Sequence, residues 1–434
     1  MKKVLIITYY WPPGSSPGVQ RFLKFTKYLE NFGWKPYVLT VNNGSYPSRD
    51  ESLLKDVPAG VEVFRTKTFE PFQLFNLIKG KRSKSAPIGF INLSSKKSRL
   101  NNLSLYIRAN FFIPDARKGW NRFAVKKARE IIIKNKIDAI ITTGPPQSTH
   151  LIGYKIKMEN NIPWIADLRD PWTNVYYNSL FPRTKRTKKA DKKLEDNVAT
   201  TADMLTVVST GLKNEFADRA KDIEIIYNGF DESDFKDVSI NQHSGFTLAY
   251  IGNFKPNQNI KMIWESINEI SKTIKSFKSD FKLLLTGNID EGVVNDLKKH
   301  NINTLTEIQP FLPHDEAVSL MCNSAMLLFV VPQAANNHLI ITGKLFEYIA
   351  SGTPILSVGP VDGDASKLLN EVGRYPMIDY VYKDEFKKIL VENYQLWLKN
   401  GKLDKYKDED IAEYSRRGLT KKLSEKLYKI TDEH

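Results

Sequence analysis

Strand-sized apolar runs alternate with amphipathic stretches through the first half of the chain. KVLIITY reads as a buried strand. After the loop WPPGSSPG, Val19 to Phe32 predicts a helix with Phe22, Leu23, Phe25 and Leu29 on one face, stopped by Gly33. PYVLTV and VEVFRTK follow as strands, Lys126 to Asn135 as a helix, and DAIITTG as a strand ending in Gly-Pro-Pro. A helix over His150 to Met158 leads to the strand PWIADL, then to MLTVVST and EIIYNG. Such alternation predicts a parallel sheet with helices on both faces. Ligands bind such sheets at the carboxyl ends of the strands. The polar and glycine-rich loops fall there, after the first strand and after Thr143, Leu168 and Asn228.

The stretch KDVSINQHSGF, 236 to 246, is polar and aperiodic, so the domain junction is placed there. A second alternating set follows. TLAYIG, KLLLTG, NTLTEIQPFL, MLLFVV and ILSVG read as strands, with helices from about Ile260 to Thr273, up to His300, over Ala317 to Asn323 and over 343 to 350. Tyr414 to Ile430 is helical and basic. The expected division is residues 1–240 with a C-terminal helix over 410–434, and residues 241–409.

The densest chemistry lies in GKLFEYIASGTPIL, Gly343 to Leu356, a loop entering a helix, a stop at Gly352 and a strand opened by Pro354. Gly343 and Lys344 stand where a helix start presents unpaired N–H groups and positive dipole to an anion. Glu347 shares a face with Lys344. Phosphate at the helix start and sugar hydroxyls beside Glu347 would satisfy both; the plain alternative is a solvated Lys–Glu pair. In YIGNFKP and LTGN, strands end in Gly252 and Gly287, with Asn253, Lys255 and Asn288 next, plausible neighbours of phosphate and ribose.

Nearer the N-terminus, Gly14 and Gly18 let the first loop turn and approach a ligand, and Ser15 offers a hydroxyl. The Gly-Lys-Ser/Thr ending of a Walker loop is missing. His150 follows TTGPPQST, where it could donate to an oxyanion or shuttle a proton, or be structural. In ADLRDPW, Asp167, Arg169, Asp170 and Trp172 suggest a ligand-facing turn; the alternative is an Arg–Asp pair fixing the loop. Asp362 and Asp364 flank a glycine. A divalent ion is one reading, and capping of the helix DASKLLNEV, with Asp364 near its N-cap, is the favoured one.

A chain of 434 residues fits two domains better than one. No apolar run is long enough to span a membrane. MKKVLIITYYWPPG superficially resembles a leader, but its short run ends without a small-residue cleavage site, so it is taken as strand and loop. The lone Cys322 excludes an internal disulfide framework and fits a reducing, cytoplasmic compartment. The net charge of +15 is uneven. No acid lies between Glu70 and Asp115, where Lys79, Lys81, Arg82, Lys84, Lys96, Lys97, Arg99 and Arg108 mingle with Phe72, Leu74, Phe75, Leu77, Ile78, Phe90 and Ile91. That mixture suits an anionic membrane surface better than a base-reading groove; a solvated loop is the alternative. A second cluster runs from Arg183 to Lys193 around Asp191. Nucleic-acid binding is supported by charge alone, without a reading motif.

In order and spacing, YYWPPGSSPGVQR, TTGPPQSTH, ADLRDPW, VVSTGLKNEF, IYNGFDESDF, LAYIGNF and GKLFEYIASGTPIL resemble the GT-B glycosyltransferases, specifically glycosyltransferase family 4. The resemblance implies an α/β fold, GT-B, of two facing Rossmann-like doubly wound domains, with a C-terminal helix crossing back to the first. It implies sugar transfer from a nucleotide-sugar, UDP-sugar being the expected donor, with retention and no metal or cofactor. The acceptor would be a glycan or lipid-linked, in bacterial surface polysaccharide synthesis at the inner membrane face. By position, Glu347 would hold the ribose and Gly343, Lys344 and Leu345 would meet the diphosphate. Gly14 and Ser15 would approach phosphate or sugar, His150 would lie near the transferred sugar, and Asp167 and Arg169 would face the acceptor.

Three positions depart from the pattern. The first of the family's paired glutamates would fall at Leu339, and its usual Arg and Lys would fall at about Asn253 and Gln258, leaving Lys255, Lys261 and Lys344 as replacements. A non-catalytic partner and a sugar-nucleotide epimerase of the same fold are therefore the rival readings.

Overall fold

The computed structural model describes residues 1–46, 48–69, 99–175, 178, 181–241, 245–406 and 410–434. They divide into two units, Met1–Asn228 with Arg416–His434, and Gly229–Ser415. The apolar and basic residues from Phe72 to Lys97 lie outside the described residues.

The N-terminal unit is built on seven parallel strands: β1 Lys2–Thr8, β2 Trp34–Val41, β3 Glu62–Thr66, β4 Ala139–Gly144, β5 Trp164–Leu168, β6 Met204–Val207 and β7 Ile223–Ile225. Their order is β3-β2-β1-β4-β5-β6-β7. The centre is covered on both faces, so Val4, Leu5, Ile6, Ile7, Ile140 and Ile141 are fully buried. That is why these strands read as unbroken apolar runs rather than as alternation. Edge strand β7 is shorter than the run EIIYNG, and MLTVVST contributes only four residues.

Helix α1, Pro17–Tyr28, is capped by Ser16, whose Oγ accepts the Val19 N–H at 3.3 Å. It ends earlier than its apolar face suggests, tightening into a 3-10 turn over Leu29–Phe32, and Gly33, at φ +83, closes it. The unit continues with α2 Arg99–Phe111, α3 Asn121–Asn135, α4 His150–Asn160, α5 Lys185–Thr201 and α6 Thr210–Phe216. In the second basic cluster, Arg183 pairs with Asp191 at 2.6 Å, and Lys192 with Glu195 and Asp196 at 3.1 and 2.8 Å. No described helix is long and apolar enough to cross a membrane.

The second unit is a five-stranded parallel sheet of β8 Phe246–Ile251, β9 Phe281–Thr286, β10 Thr306–Gln309, β11 Met326–Val330 and β12 Ile355–Val358, in the order β10-β9-β8-β11-β12. Its helices include α7 Lys261–Thr273, α8 Glu291–Lys299, α9 His314–Asn323, α10 Gly343–Ala350, α11 Asp364–Glu371 and α12 Lys383–Asn400. The N-cap of α11 is Gly363, not Asp364, which is the first helical residue, with an oxygen 3.7 Å from Lys367.

The division falls at 228/229 and 415/416, not at the polar stretch near 240 or at 410. Polarity marked the wrong place because contacts decide it. The Phe230 N–H donates to the Tyr414 carbonyl at 3.2 Å, Phe230 packs edge-on against Phe235, and buried Tyr414 sits by Phe346. The last helix, α13 Arg416–Asp432, belongs to the N-terminal unit. It buries Leu419, Leu423, Leu427 and Ile430, sets Tyr428 5.2 Å from Trp34, and receives Lys2 on Thr431 and Asp432.

Candidate functional site

In the C-terminal unit, β8 and β9 both end in glycines that only glycine suits: Gly252 at φ +119 and Gly287 at φ +122. The Gly252 N–H donates to the Thr286 carbonyl at 2.7 Å, and the Gly287 N–H to the Gln309 carbonyl at 3.0 Å. A Cβ on Gly287 would stand 2.5 Å from the Gly252 carbonyl oxygen, and one on Gly252 would stand 3.0 Å from Lys344 Nζ. The paired glycines thus let two strand ends touch and admit a lysine from α10.

Lys344 is the second residue of α10, and its Nζ lies 3.7 Å from the centre of the Tyr250 ring. Tyr250 is held by stacking on Phe254 at 4.2 Å and by donating its hydroxyl to the Asn253 carbonyl at 2.8 Å. The helix is pinned to β8 because the Tyr348 hydroxyl accepts the Ile251 N–H at 2.9 Å. Burial pushes the Lys344 ammonium down to about 7; Glu347, one turn on, pulls the other way, and Lys255 adds repulsion. Lys255 and Asn253 are exposed.

At the helix start, Thr342 is the N-cap, yet its hydroxyl makes no capping bond and is buried without a partner. Leu345 does not face a ligand as the resemblance implied: its side chain is fully buried among the apolar residues of α10, and its N–H is donated to the Thr342 carbonyl at 3.1 Å. The N–H groups ahead of it, of Gly343 and Lys344, stand at the positive end of the helix. Nothing lies within 4 Å of a Cβ added to Gly343. The arrangement can bind an anion beside a carboxylate that accepts hydroxyl hydrogens. The glycines are separable by stability. Gly343→Ala is expected to leave the unfolding transition of this unit in place, whereas Gly287→Ala, strained in backbone and blocked by a carbonyl, is expected to cost roughly 1–3 kcal/mol in urea unfolding.

In the N-terminal unit, Gly14 lies under the Tyr46 ring, 2.6 Å from an added Cβ, and the Ser15 carbonyl accepts Ser48 Oγ at 2.6 Å. Gly18, in the first turn of α1, leaves no room for a Cβ because the Arg169 guanidinium fills that space. Arg169 donates from Nε to Thr143 Oγ1 at 3.2 Å and from Nη2 to the Pro145 carbonyl at 2.8 Å.

Two expectations fail here. Asp167 does not face an acceptor. It is 1% exposed, and its oxygens are taken by Arg21 Nη2, Thr206 Oγ1 and Thr143 Oγ1, each at 2.8 Å. The loop does hold an Arg–Asp pair, but the partner is Arg21 of α1, which also donates to the Tyr227 carbonyl. His150 is no proton shuttle. Its ring is fully buried beside Trp172, and burial pushes it down to about 3, with Asp167 pulling up and Arg169 pushing down. A base that weak is far from the range in which acid–base catalysis is efficient. Tyr250 and Arg21 carried no direct sequence signal as parts of these sites. Their contacts join residues distant along the chain, Tyr250 with Lys344 and Arg21 with Asp167, and only the position of Tyr250 two residues before the strand-end glycine was a clue.

Among the described residues no group of three or more His, Cys, Asp or Glu gathers to hold a metal ion. Residues 93–234 match the family model of Glycosyltransferase Family 4. No curated protein matches the chain. Solved structures are similar over nearly the whole length. The Candida albicans trehalose-6-phosphate phosphatase N-terminal domain has 12% identity and a TM-score of 0.59, covering 99% of this chain and 97% of that one. The Thermosynechococcus elongatus sucrose-phosphate synthase has 12% identity and a TM-score of 0.56, covering 100% and 97%. S. aureus TarM, in complex with Fondaparinux, alpha-GlcNAc-glycerol and UDP, has 10% identity and a TM-score of 0.55, covering 99% of each. The chain therefore has the GT-B fold of two Rossmann-like parallel sheets, and within it residues 93–234 resemble Glycosyltransferase Family 4.

Proposed function

We propose that this chain is a retaining, metal-independent glycosyltransferase. It holds a nucleotide-sugar donor in its C-terminal unit and passes the sugar to a glycan or lipid-linked acceptor in bacterial surface polysaccharide synthesis. The observation that carries the reading is Lys344, admitted by Gly252 and seated on Tyr250 at the start of α10, one turn ahead of Glu347. UDP bound to TarM supports a uridine nucleotide as the donor's carrier. A lipid-linked acceptor would bring the protein to the inner membrane face, which agrees with the basic, apolar-studded sequence over 72–108.

The roles follow from charge. Breaking the anomeric C–O bond leaves negative charge on the diphosphate and positive charge on the sugar ring. The helix start and the Lys344 ammonium meet that growing negative charge without needing to reorganise, so they stabilise the transition state more than the ground state. Lys255, on the exposed turn after β8, adds a second cation, and Glu347 accepts from the ribose hydroxyls. The backbone of Gly343 lies open to the diphosphate.

Thermal unfolding in the presence of UDP-, GDP- and ADP-sugars tests this. One nucleotide sugar is expected to stabilise the protein, by about 2.7 kcal/mol at a hundred times its dissociation constant. Stabilisation by none of them removes the reading.

A further inference from the structure

The N-terminal unit contains a relay of side chains that the reading above does not use. His150 opens α4 with its ring fully buried, and its Nδ1 lies 2.9 Å from Thr142 Oγ1 on β4, also fully buried. Trp164, on neighbouring β5, donates its indole N–H to the same oxygen at 2.9 Å. An indole can only donate, so it occupies one lone pair of the hydroxyl. The hydroxyl hydrogen then has His150 Nδ1 as its acceptor. Were Nδ1 to carry a hydrogen instead, the Thr142 hydrogen and the Nε2 lone pair would both be buried without partners, two orphans in place of one.

The far side of the ring points the same way. His150 Nε2 lies 2.5 Å from where a Cβ of Gly144 would stand, and Gln147 Oε1 crowds the same point. Both atoms are buried without a partner. The Gln147 amide is oriented by donating its nitrogen to the Asp170 carbonyl at 3.4 Å. A hydrogen on Nε2 is drawn to that amide oxygen, whereas a lone pair would repel it.

We propose that Thr142, backed by the Trp164 indole, is the positioning residue that fixes His150 in a single tautomer, with its hydrogen on Nε2 and its Nδ1 occupied as an acceptor. His150 then serves as a hydrogen-bond donor and not as an acid or base. The tautomer does not depend on the proposed function. The charged groups acting on the ring, Asp167 and Arg169, oppose each other, and Trp172 covers it at 6.0 Å.

The test is the two-bond 15N–1H spectrum of the full chain labelled at its six histidines, with His150→Asn to assign the ring. The Nε2–H pattern is expected, unchanged from about pH 8 to about pH 5. Thr142→Val is expected to give mixed tautomers and Thr142→Ser to restore one. An Nδ1–H pattern, titration within that range, or a Thr142→Val spectrum like wild type overturns the inference. Absence of any response to UDP-, GDP- and ADP-sugars, with the tautomer as expected, instead sinks the glycosyltransferase reading alone.

Discussion

Asp167→Ala is expected to destabilise the N-terminal unit by about 3–5 kcal/mol, the cost of leaving a buried charge without its partner. The stranded group is Arg21, whose side chain is wholly enclosed and whose Nη2 donates to Asp167 Oδ1 at 2.8 Å. One carboxylate joins three elements: α1 through Arg21, β4 through Thr143 and β6 through Thr206. Burial alone would push the Asp167 carboxyl up. The Arg21 guanidinium, then Arg169 and the Thr143 hydroxyl, outweigh burial and hold it below the usual carboxylate range. With the folded value depressed, the stabilisation is present above the unfolded value of about 3.9 and is lost as pH falls through the folded one. Urea unfolding followed by far-UV circular dichroism checks both statements. Asp167→Asn should cost nearly as much, because it keeps the shape and removes the charge, whereas Arg21→Met with Asp167→Leu should recover most of the loss. A loss in Asp167→Ala below about 1 kcal/mol would mean that Arg21 finds water or another acceptor.

How much of this was legible can be judged residue by residue. The alternation of apolar runs and amphipathic stretches led to two parallel sheets because a strand covered on both faces has no polar side to show, as Val4 to Ile7 illustrate. GKLFEYIA lies where its spacing placed it, since a glycine start and an apolar stripe are local signals. The partner of Asp167 was out of reach. Arg169, two residues on, is its neighbour along the chain, but Arg21 is its ion-pair partner, 146 residues away. Tyr250 beneath Lys344 is hidden for the same reason. The junction was misplaced because a polar stretch records exposure, while the division follows which residues Phe230 and Tyr414 touch. His150 was visible as a candidate, but its chemistry depends on burial, which one residue's neighbours in sequence do not reveal.

Lys344→Ala is expected to cut the rate of sugar transfer by about 10²- to 10³-fold, as loss of one preorganised donor to a developing anion does. The fold should persist. The side chain's place on Tyr250 is worth about 0.5–2 kcal/mol as a cation–π contact, and removing a partly buried ammonium relieves part of that. The pH dependence separates a charge effect from a packing one. With the free ammonium at about 7, its charge is half lost at neutral pH. A bound diphosphate favours the charged form and raises that value, so binding takes up a proton between the two. The affinity of wild type for UDP-glucose should therefore be flat on the acid side and fall by up to about tenfold per unit as pH rises above 7. Lys344→Met keeps the length of the chain over Tyr250 without the charge, so its binding should be weak and level across the same range. Calorimetric titration of both proteins across that range decides it. Equal affinity in wild type and Lys344→Met at pH 6 would remove the ammonium from the donor site. A parallel fall in both would move the titrating group elsewhere, and with it the origin of the leaving-group stabilisation.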